Sequence, residues 1–183
     1  YPNDPINKTD LSGNMQDCGQ CNHGTYAGAW SYHHSYIIGS TSRDSASISK
    51  QVFGNFGRVF SPLSRFDHSL AATQLQSIGQ VVPTALFVID QPGYAGNVVV
   101  TRMTSDSWTL TAKPGHPAYP GSVSFSISTQ NGYAVLDVSG SSSAQIPGFT
   151  HTLPEYDAFS EQYWAIFASN INIGTLGNSP PMG

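Results

Sequence analysis

Charged residues are scarce in this chain: Asp, Glu, Lys and Arg make up 10% of its 183 residues, whereas an ordinary soluble protein has about 25%. The seven basic residues all lie at or before Lys113, and the net charge is -4. A protein that binds nucleic acid or anionic lipid needs a basic face to meet the phosphates. We therefore expect neither nucleic acid nor a membrane surface as a partner.

Long apolar runs are also missing from the sequence. The longest, Ala85–Ile89, is the size of one strand and falls far short of the ~20 residues that cross a bilayer. Ser, Thr and Gly supply polarity in place of charge, a composition that favours an exported protein. We expect a secreted or otherwise extracytoplasmic protein with no membrane span.

Cysteine occurs only at Cys18 and Cys21, which form a Cys-x-x-Cys pair. This spacing is compatible with a small disulfide loop, half of a metal site or a redox pair. A zinc site needs about four ligands, so His23 and either His33 or His34 would have to complete it. A redox pair is typical of a helix N-terminus, which the surrounding Pro- and Gly-rich residues do not predict. We expect a disulfide, with no bound metal and no cofactor.

The length of the chain suits a single domain. Residues 1–24 are polar and carry several Pro and Gly residues, and we interpret them as an N-terminal arm. Residues 174–183 are again rich in Gly and Pro and predict a loose C-terminal tail. The residues between these two segments, 25–173, are predicted to form one α+β domain.

The first part of this domain predicts one strand followed by two helices. Residues 25–38 alternate with the period of a strand. Apolar residues recur at helical spacing over 45–60, which predicts an amphipathic helix capped by Asp44 or the following serine. A second short helix is predicted at 68–78, with Gly79 as its C-terminal cap.

The second part predicts a series of strands and a terminal helix. Ser122–Ser128 alternates apolar and serine residues, which is typical of a strand with one buried face. The Asn131-Gly132 pair tolerates the positive φ angles of a tight hairpin turn. A Ser-rich loop at 140–148 and a helix at 158–171 follow. The remaining predicted strands are 85–89, 97–103, 107–112 and 133–139.

This order of elements indicates an α+β fold. We predict a curved antiparallel sheet of about five to six strands that packs on the C-terminal helix, with two short helices after the first strand. A curved sheet that grips a helix leaves an apolar cavity between the two, and cavities of this kind hold small ligands.

One stretch of the sequence resembles a known family. Residues 107–139 read as a strand, the turn Lys-Pro-Gly-His-Pro at 113–117, a second strand, an Asn-Gly turn and a third strand. Together with the predicted terminal helix at 158–171, this pattern is similar to that of uncharacterised bacterial domains with the helix-grip (START/Bet v 1-like) fold. The resemblance implies a cavity for a hydrophobic ligand and transfers no catalytic residue. We expect His116, within the turn, to be exposed.

Aromatic residues and a histidine recur at every second position from Trp30 to Tyr36, on one face of the first strand. Such a row either belongs to the core, with its polar tips paired, or lines a ligand cavity or stacks on a sugar ring. His33 faces the opposite side from His34, so the two histidines do not serve one site. The candidate ligand-binding residues are Trp30, Tyr32, His34, Tyr36, Trp108 and Trp164.

A possible catalytic group lies at Asp67, His68 and Ser69. Triads are assembled in space rather than from consecutive residues, and Asp or Ser at this point is typical of a helix cap. If the protein is an enzyme, His68 with Asp67 is the candidate general base.

Three functions are therefore open. The favoured one is an exported domain that binds a small apolar or sugar-like molecule. The second is a small secreted hydrolase or toxin that uses His68 or His34 with an acidic partner such as Asp67 or Asp137. The third is a structural or interaction protein that assembles through exposed strand edges.

Overall fold

The computed structural model describes residues 30–60, 73–86, 94–116, 118–143 and 153–171. Its strands are β1 (Trp30–Ser40), β2 (Val81–Leu86), β3 (Tyr94–Met103), β4 (Ser107–Ala112), β5 (Ser122–Gln130) and β6 (Tyr133–Ser142). Its helices are α1 (Ser45–Gly54), α2 (Phe56–Phe60) and α3 (Leu153–Asn170).

The six strands form one antiparallel sheet in the order β1-β6-β5-β4-β3-β2. Strands β2 to β6 follow one another along the chain, and β1 adds to the free side of β6. Helix α3 packs on β1, while α1 packs on β5. The predicted α+β fold, with its antiparallel sheet and C-terminal helix, is therefore confirmed.

Strand alternation divides the sheet into an apolar and a polar face. On β5, Phe125 and Ile127 are buried while Ser124 is exposed, and on β6 Leu136 and Val138 are buried. The apolar face packs against the helices, where Phe167 of α3 is fully buried. Burial of one such side chain contributes roughly 1.5–3 kcal/mol, so this layer is the main source of stability.

The β5–β6 hairpin has the predicted turn. Asn131 has φ 51° and Gly132 has φ 79°, the two positive values that a two-residue hairpin turn requires. The predicted strand at 133–139 extends to Ser142, into the predicted loop, because Ser141 and Ser142 pair with Ser31 and Trp30 of β1.

The helix predicted over 45–60 is divided at Asn55. Asp44 caps its start by accepting a hydrogen bond from the Ser47 backbone N–H at 2.8 Å, as predicted. At Asn55 the side-chain amide donates to the Gln51 carbonyl at 2.9 Å, which ends α1, and the chain then turns into α2. The side chain of one residue thus competes with continuation of the helix.

The helix predicted over 68–78 is wrong for its described part, since residues 73–80 form no helix. The Thr73 carbonyl accepts from the Gly57 N–H at 2.8 Å, and the Leu75 N–H donates to the Phe53 carbonyl at 2.9 Å. The backbone of this segment therefore pairs with the α1–α2 region instead of with itself. Gly79 has φ 88° and lies in a turn. Residues 68–72 are outside the described part.

The other boundaries differ by a few residues. β2 spans Val81–Leu86 where the sequence predicts a strand at 85–89, and residues 87–89 lie outside the described part. β3 begins three positions before the predicted 97–103, because Tyr94, Ala95 and Gly96 pair with β2. Within the described residues, no helix is long and apolar enough to cross a membrane.

Candidate ligand-binding site

The predicted row on β1 lies on the apolar face of the sheet, under α3. The Trp30 and Tyr32 rings stack with centroids 5.7 Å apart, and Tyr32 stacks on His34 at 5.2 Å. Tyr36 lies beyond His34 at 6.3 Å. Trp30, Tyr32 and His34 are buried and Tyr36 is half-buried. The ring faces of this row are therefore largely covered by one another.

Gly140 of β6 makes room for this row. It pairs with Tyr32 across the strands, and a Cβ at Gly140 would collide with the Tyr32 ring. The absence of a side chain there allows the ring to lie flat over the backbone of β6.

Hydrogen bonds join the row to α3. The Trp164 indole N–H donates to the Tyr32 hydroxyl at 2.8 Å, and the Tyr36 hydroxyl donates to the Glu161 carbonyl at 2.7 Å. Burial raises the pKa of Tyr32 and Tyr36, so both phenols stay protonated and neutral. We call these contacts, together with those of His34, the β1–α3 seam.

His34 completes the seam through Ser160. Its Nε2 lies 2.8 Å from the Ser160 Oγ. The Ser160 hydroxyl in turn donates a hydrogen bond to the Asp157 backbone carbonyl at 2.8 Å. The Ser160 oxygen must then accept from His34, so Nε2 carries the hydrogen. A histidine that donates to a serine does not act as the general base that deprotonates it.

The acidic neighbour of His34 is Asp157, not Asp137. The Asp157 Oδ1 lies 3.5 Å from the His34 Nε2, and partial burial raises the pKa of Asp157. Asp137 pairs with Ser35 across the strands and so projects from the other face of the sheet. The predicted pairing of His34 with Asp137 is therefore wrong, because neighbouring strand positions face opposite sides.

Asp137 belongs to a polar cluster on the solvent side of the sheet. It accepts a hydrogen bond from the Ser35 hydroxyl and lies 3.7 Å from the His33 Nε2. The His33 Nδ1 lies 2.8 Å from the Ser139 Oγ. The His33 side chain is 48% exposed, so this cluster is solvated, and the predicted division of His33 and His34 between two faces is confirmed.

The interior beyond the seam is aromatic and aliphatic. Trp108 of β4 stacks on Phe125 with centroids 4.9 Å apart and meets the Phe53 ring of α1 edge-on at 5.2 Å. Trp164 also meets Phe125 edge-on, at 5.1 Å. The other strand side chains that are buried on this face of β3, β4 and β5 are apolar: Val98, Val100, Leu110, Ala112 and Ile127. This side of β3, β4 and β5 is a continuous apolar floor.

Two polar side chains interrupt this interior. Trp108 and Ser49 are each 0% exposed, yet the Trp108 Nε1 and the Ser49 Oγ form no hydrogen bond in the described structure. Most buried polar atoms in proteins are paired, so these two are unusual in an otherwise apolar environment.

His116 lies inside the 113–117 turn and, contrary to the prediction, is buried. Its Nδ1 accepts from the Ala118 backbone N–H at 3.0 Å, and burial lowers its pKa to about 4. The turn packs against Gly96 of β3, where a Cβ would lie 2.6 Å from the His116 Cα. His116 is thus a neutral packing residue at neutral pH.

Several predicted site residues lie outside the described residues: Asp67, His68, Cys18 and Cys21. Of the predicted ligand-binding residues, Tyr32, His34, Tyr36 and Trp164 come together in the seam, whereas Trp108 lies apart from them in the interior. Within the described part of the chain, no group of three or more His, Cys, Asp and Glu residues could hold a metal ion.

Ser49 and Ser160 were missed by the sequence reasoning. Both follow helical spacing on a buried face: Ser49 precedes Val52 and Phe53, and Ser160 precedes Trp164 and Phe167. That spacing was a usable signal, because residues three, four or seven positions apart share one side of a helix.

Comparison with known proteins gives similarity in structure but not in sequence. No protein-family model and no curated protein sequence matches the chain. The major latex-like protein 151 from Panax ginseng superposes with a TM-score of 0.55 and 13% identity, over 80% of this chain and 97% of that one. Protein Ms6760 from Mycobacterium smegmatis gives 0.53 and 13% identity, over 81% and 92%.

The structure of Ara h 8.0201 gives a TM-score of 0.53 with 11% identity, over 83% of this chain and 100% of that one. At such identities the likeness concerns the fold alone. It agrees with the observed sheet order and terminal helix, and with the resemblance of residues 107–139. The chain has the helix-grip fold of Bet v 1-like and START-type domains.

Proposed function

We propose that the protein binds a small, mainly apolar molecule between the apolar floor of its sheet and its helices. The observation that carries this proposal is the composition of the floor around Trp108, which is aromatic and aliphatic and contains no charged side chain among the described residues. Ligand sites are typically apolar and concave, with a few placed polar groups.

The β1–α3 seam favours an apolar ligand over a sugar. A sugar platform needs free aromatic faces, whereas the rings of Trp30, Tyr32 and His34 stack on one another. The polar tips of Tyr32 and Tyr36 are engaged by α3. In this proposal the seam holds α3 against the sheet, and Trp108 and Trp164 contact the ligand.

The scarcity of charge and the abundance of Ser, Thr and Gly support an exported location for this binding domain. A disulfide between Cys18 and Cys21 belongs to the same proposal, since disulfides persist in oxidising compartments.

Binding can be tested by native mass spectrometry of the purified protein and by displacement of an apolar fluorescent dye. Ala112→Leu adds volume on the floor and should weaken dye binding, whereas Thr111→Leu, one position away on the solvent face, should not. Circular dichroism verifies that both variants fold. The proposal would be refuted if no apolar molecule either co-purified with the protein or bound to it when added. Equal dye binding by the two variants would also refute it.

A further inference from the structure

We infer that the ligand is an uncharged apolar molecule with one oxygen group, such as an alcohol, ketone or ester, and that Trp108 and Ser49 recognise this oxygen. The inference rests on the proposed function and adds the chemical class of the ligand. It starts from two polar atoms that are buried without a hydrogen bond in the described part of the chain, the Trp108 Nε1 and the Ser49 Oγ.

These two side chains flank the same residue, Phe53. Ser49 precedes Phe53 by four positions on α1, so the two share one face of the helix. The Phe53 ring in turn meets the Trp108 ring edge-on at 5.2 Å. Ser49 from the helix and Trp108 from the sheet therefore border one region of the interior.

The chemistry of the two groups restricts what they can recognise. An indole N–H only donates, so its partner must be an acceptor, whereas a serine hydroxyl both donates and accepts. A ligand oxygen that carries a lone pair satisfies either group. A pure hydrocarbon satisfies neither, and it leaves both atoms desolvated and unpaired.

Among the described residues, the distribution of charge disfavours an ionised ligand. The basic side chains of the described residues are all exposed or half-buried: Arg43, Lys50, Arg58, Arg102 and Lys113. A carboxylate next to Trp108 would therefore be buried without a cationic partner among these residues, which is strongly unfavourable. Fatty acids in their ionised form should bind worse than the matching alcohol.

The test compares four compounds of equal chain length: 1-decanol, 2-decanone, decane and decanoate. Their affinities are measured at pH 7.5 by dye displacement on the full chain. We expect decanol and decanone to bind about tenfold more tightly than decane, a ratio that corresponds to one hydrogen bond, and decanoate to bind most weakly. Equal affinity for decane and decanol, or preference for decanoate, would overturn the inference while leaving the proposed function intact.

Substitutions test whether Ser49 and Trp108 recognise the ligand oxygen. Ser49→Ala and Trp108→Phe should each reduce the preference for decanol over decane, with little change in the affinity for decane itself. Ser45→Ala, on the same helix, is the matched control and should retain the preference. The melting temperature of ligand-free Ser49→Ala should not fall, because the variant removes a buried hydroxyl that has no partner. If both interior variants keep the preference, Ser49 and Trp108 do not recognise the oxygen; if none of the four compounds binds, the proposed function itself fails.

Discussion

The His34 imidazole and the Ser160 hydroxyl, 126 positions apart in the chain, are joined by a 2.8 Å hydrogen bond where the first strand meets the last helix. Because the Ser160 hydroxyl also donates a hydrogen bond to the Asp157 carbonyl, two consecutive hydrogen bonds connect His34 on the strand, through Ser160, to Asp157 on the helix. This arrangement fastens α3 to the sheet and does not resemble an activated serine.

Loss of this hydrogen bond should destabilise the protein. In Ser160→Ala the buried His34 Nε2 loses the hydroxyl oxygen that accepts from it at 2.8 Å, and we expect the free energy of unfolding to fall by about 1–3 kcal/mol. Ser169→Ala is the control, since Ser169 makes the same type of bond to the Ile166 carbonyl at 2.7 Å but is exposed; it should change stability by less than about 0.5 kcal/mol. Urea denaturation measures the free energy of unfolding of both variants. Equal effects would show that the hydrogen bond between His34 and Ser160 adds nothing to stability.

Two Gly→Ala substitutions should have opposite effects on stability. Gly140→Ala places a methyl group against the Tyr32 ring, and such overpacking costs typically about 1–3 kcal/mol. Gly54→Ala, at the end of α1, has no neighbour within 4 Å of the added carbon, and it should stabilise the protein by up to about 1 kcal/mol. Thermal denaturation of the two variants tests this, and a stable Gly140→Ala would contradict the placement of Tyr32 across β6.

His116 should make the protein less stable in acid. Burial lowers its pKa in the folded protein to about 4, whereas an unfolded histidine has a pKa near ~6.5. Between these two pKa values His116 is protonated in the unfolded chain but neutral in the folded protein. The contribution of His116 to the free energy of unfolding is therefore complete above pH ~6.5 and declines as the pH falls toward about 4. The loss amounts to no more than about 3 kcal/mol.

The variant His116→Gln should lack this share of the pH dependence. Its free energy of unfolding, measured in urea from pH 7.5 down to pH 4, should decline less steeply than that of the parent protein. The values at pH 7.5 give the baseline for each protein. Parallel curves over the whole range would mean that His116 is protonated as easily in the folded state as in the unfolded one.

Cys18 and Cys21 should be oxidised in protein isolated from an oxidising environment. Alkylation of the denatured protein should then label neither cysteine before reduction and both after it. Mass spectrometry of the peptide that contains residues 18–21 gives the answer directly. Labelling without reductant would contradict the proposed disulfide.

The sequence alone determined the features that depend on local rules. Alternation over 107–112 and 122–128 predicted β4 and β5, because a strand places successive side chains on opposite faces. The Asn131-Gly132 turn followed from its need for positive φ, and α3 followed from apolar residues at helical spacing. The same alternation also placed His33 and His34 on different faces.

The tertiary structure decided which residues contact one another. Helical spacing predicted a helix over 68–78, but in its described part the backbone groups of Thr73 and Leu75 pair with those of Gly57 and Phe53. This pairing exists only once the α1–α2 region lies against them. His34 meets Ser160 because β1 joins β6 at the edge of the sheet beneath α3, a neighbourhood that no local pattern specifies. His116 is buried because Gly96 on a neighbouring strand leaves space for the turn. Periodicity fixes which way a side chain faces, whereas its partner depends on strand order and helix placement, which follow from the packing of the whole chain.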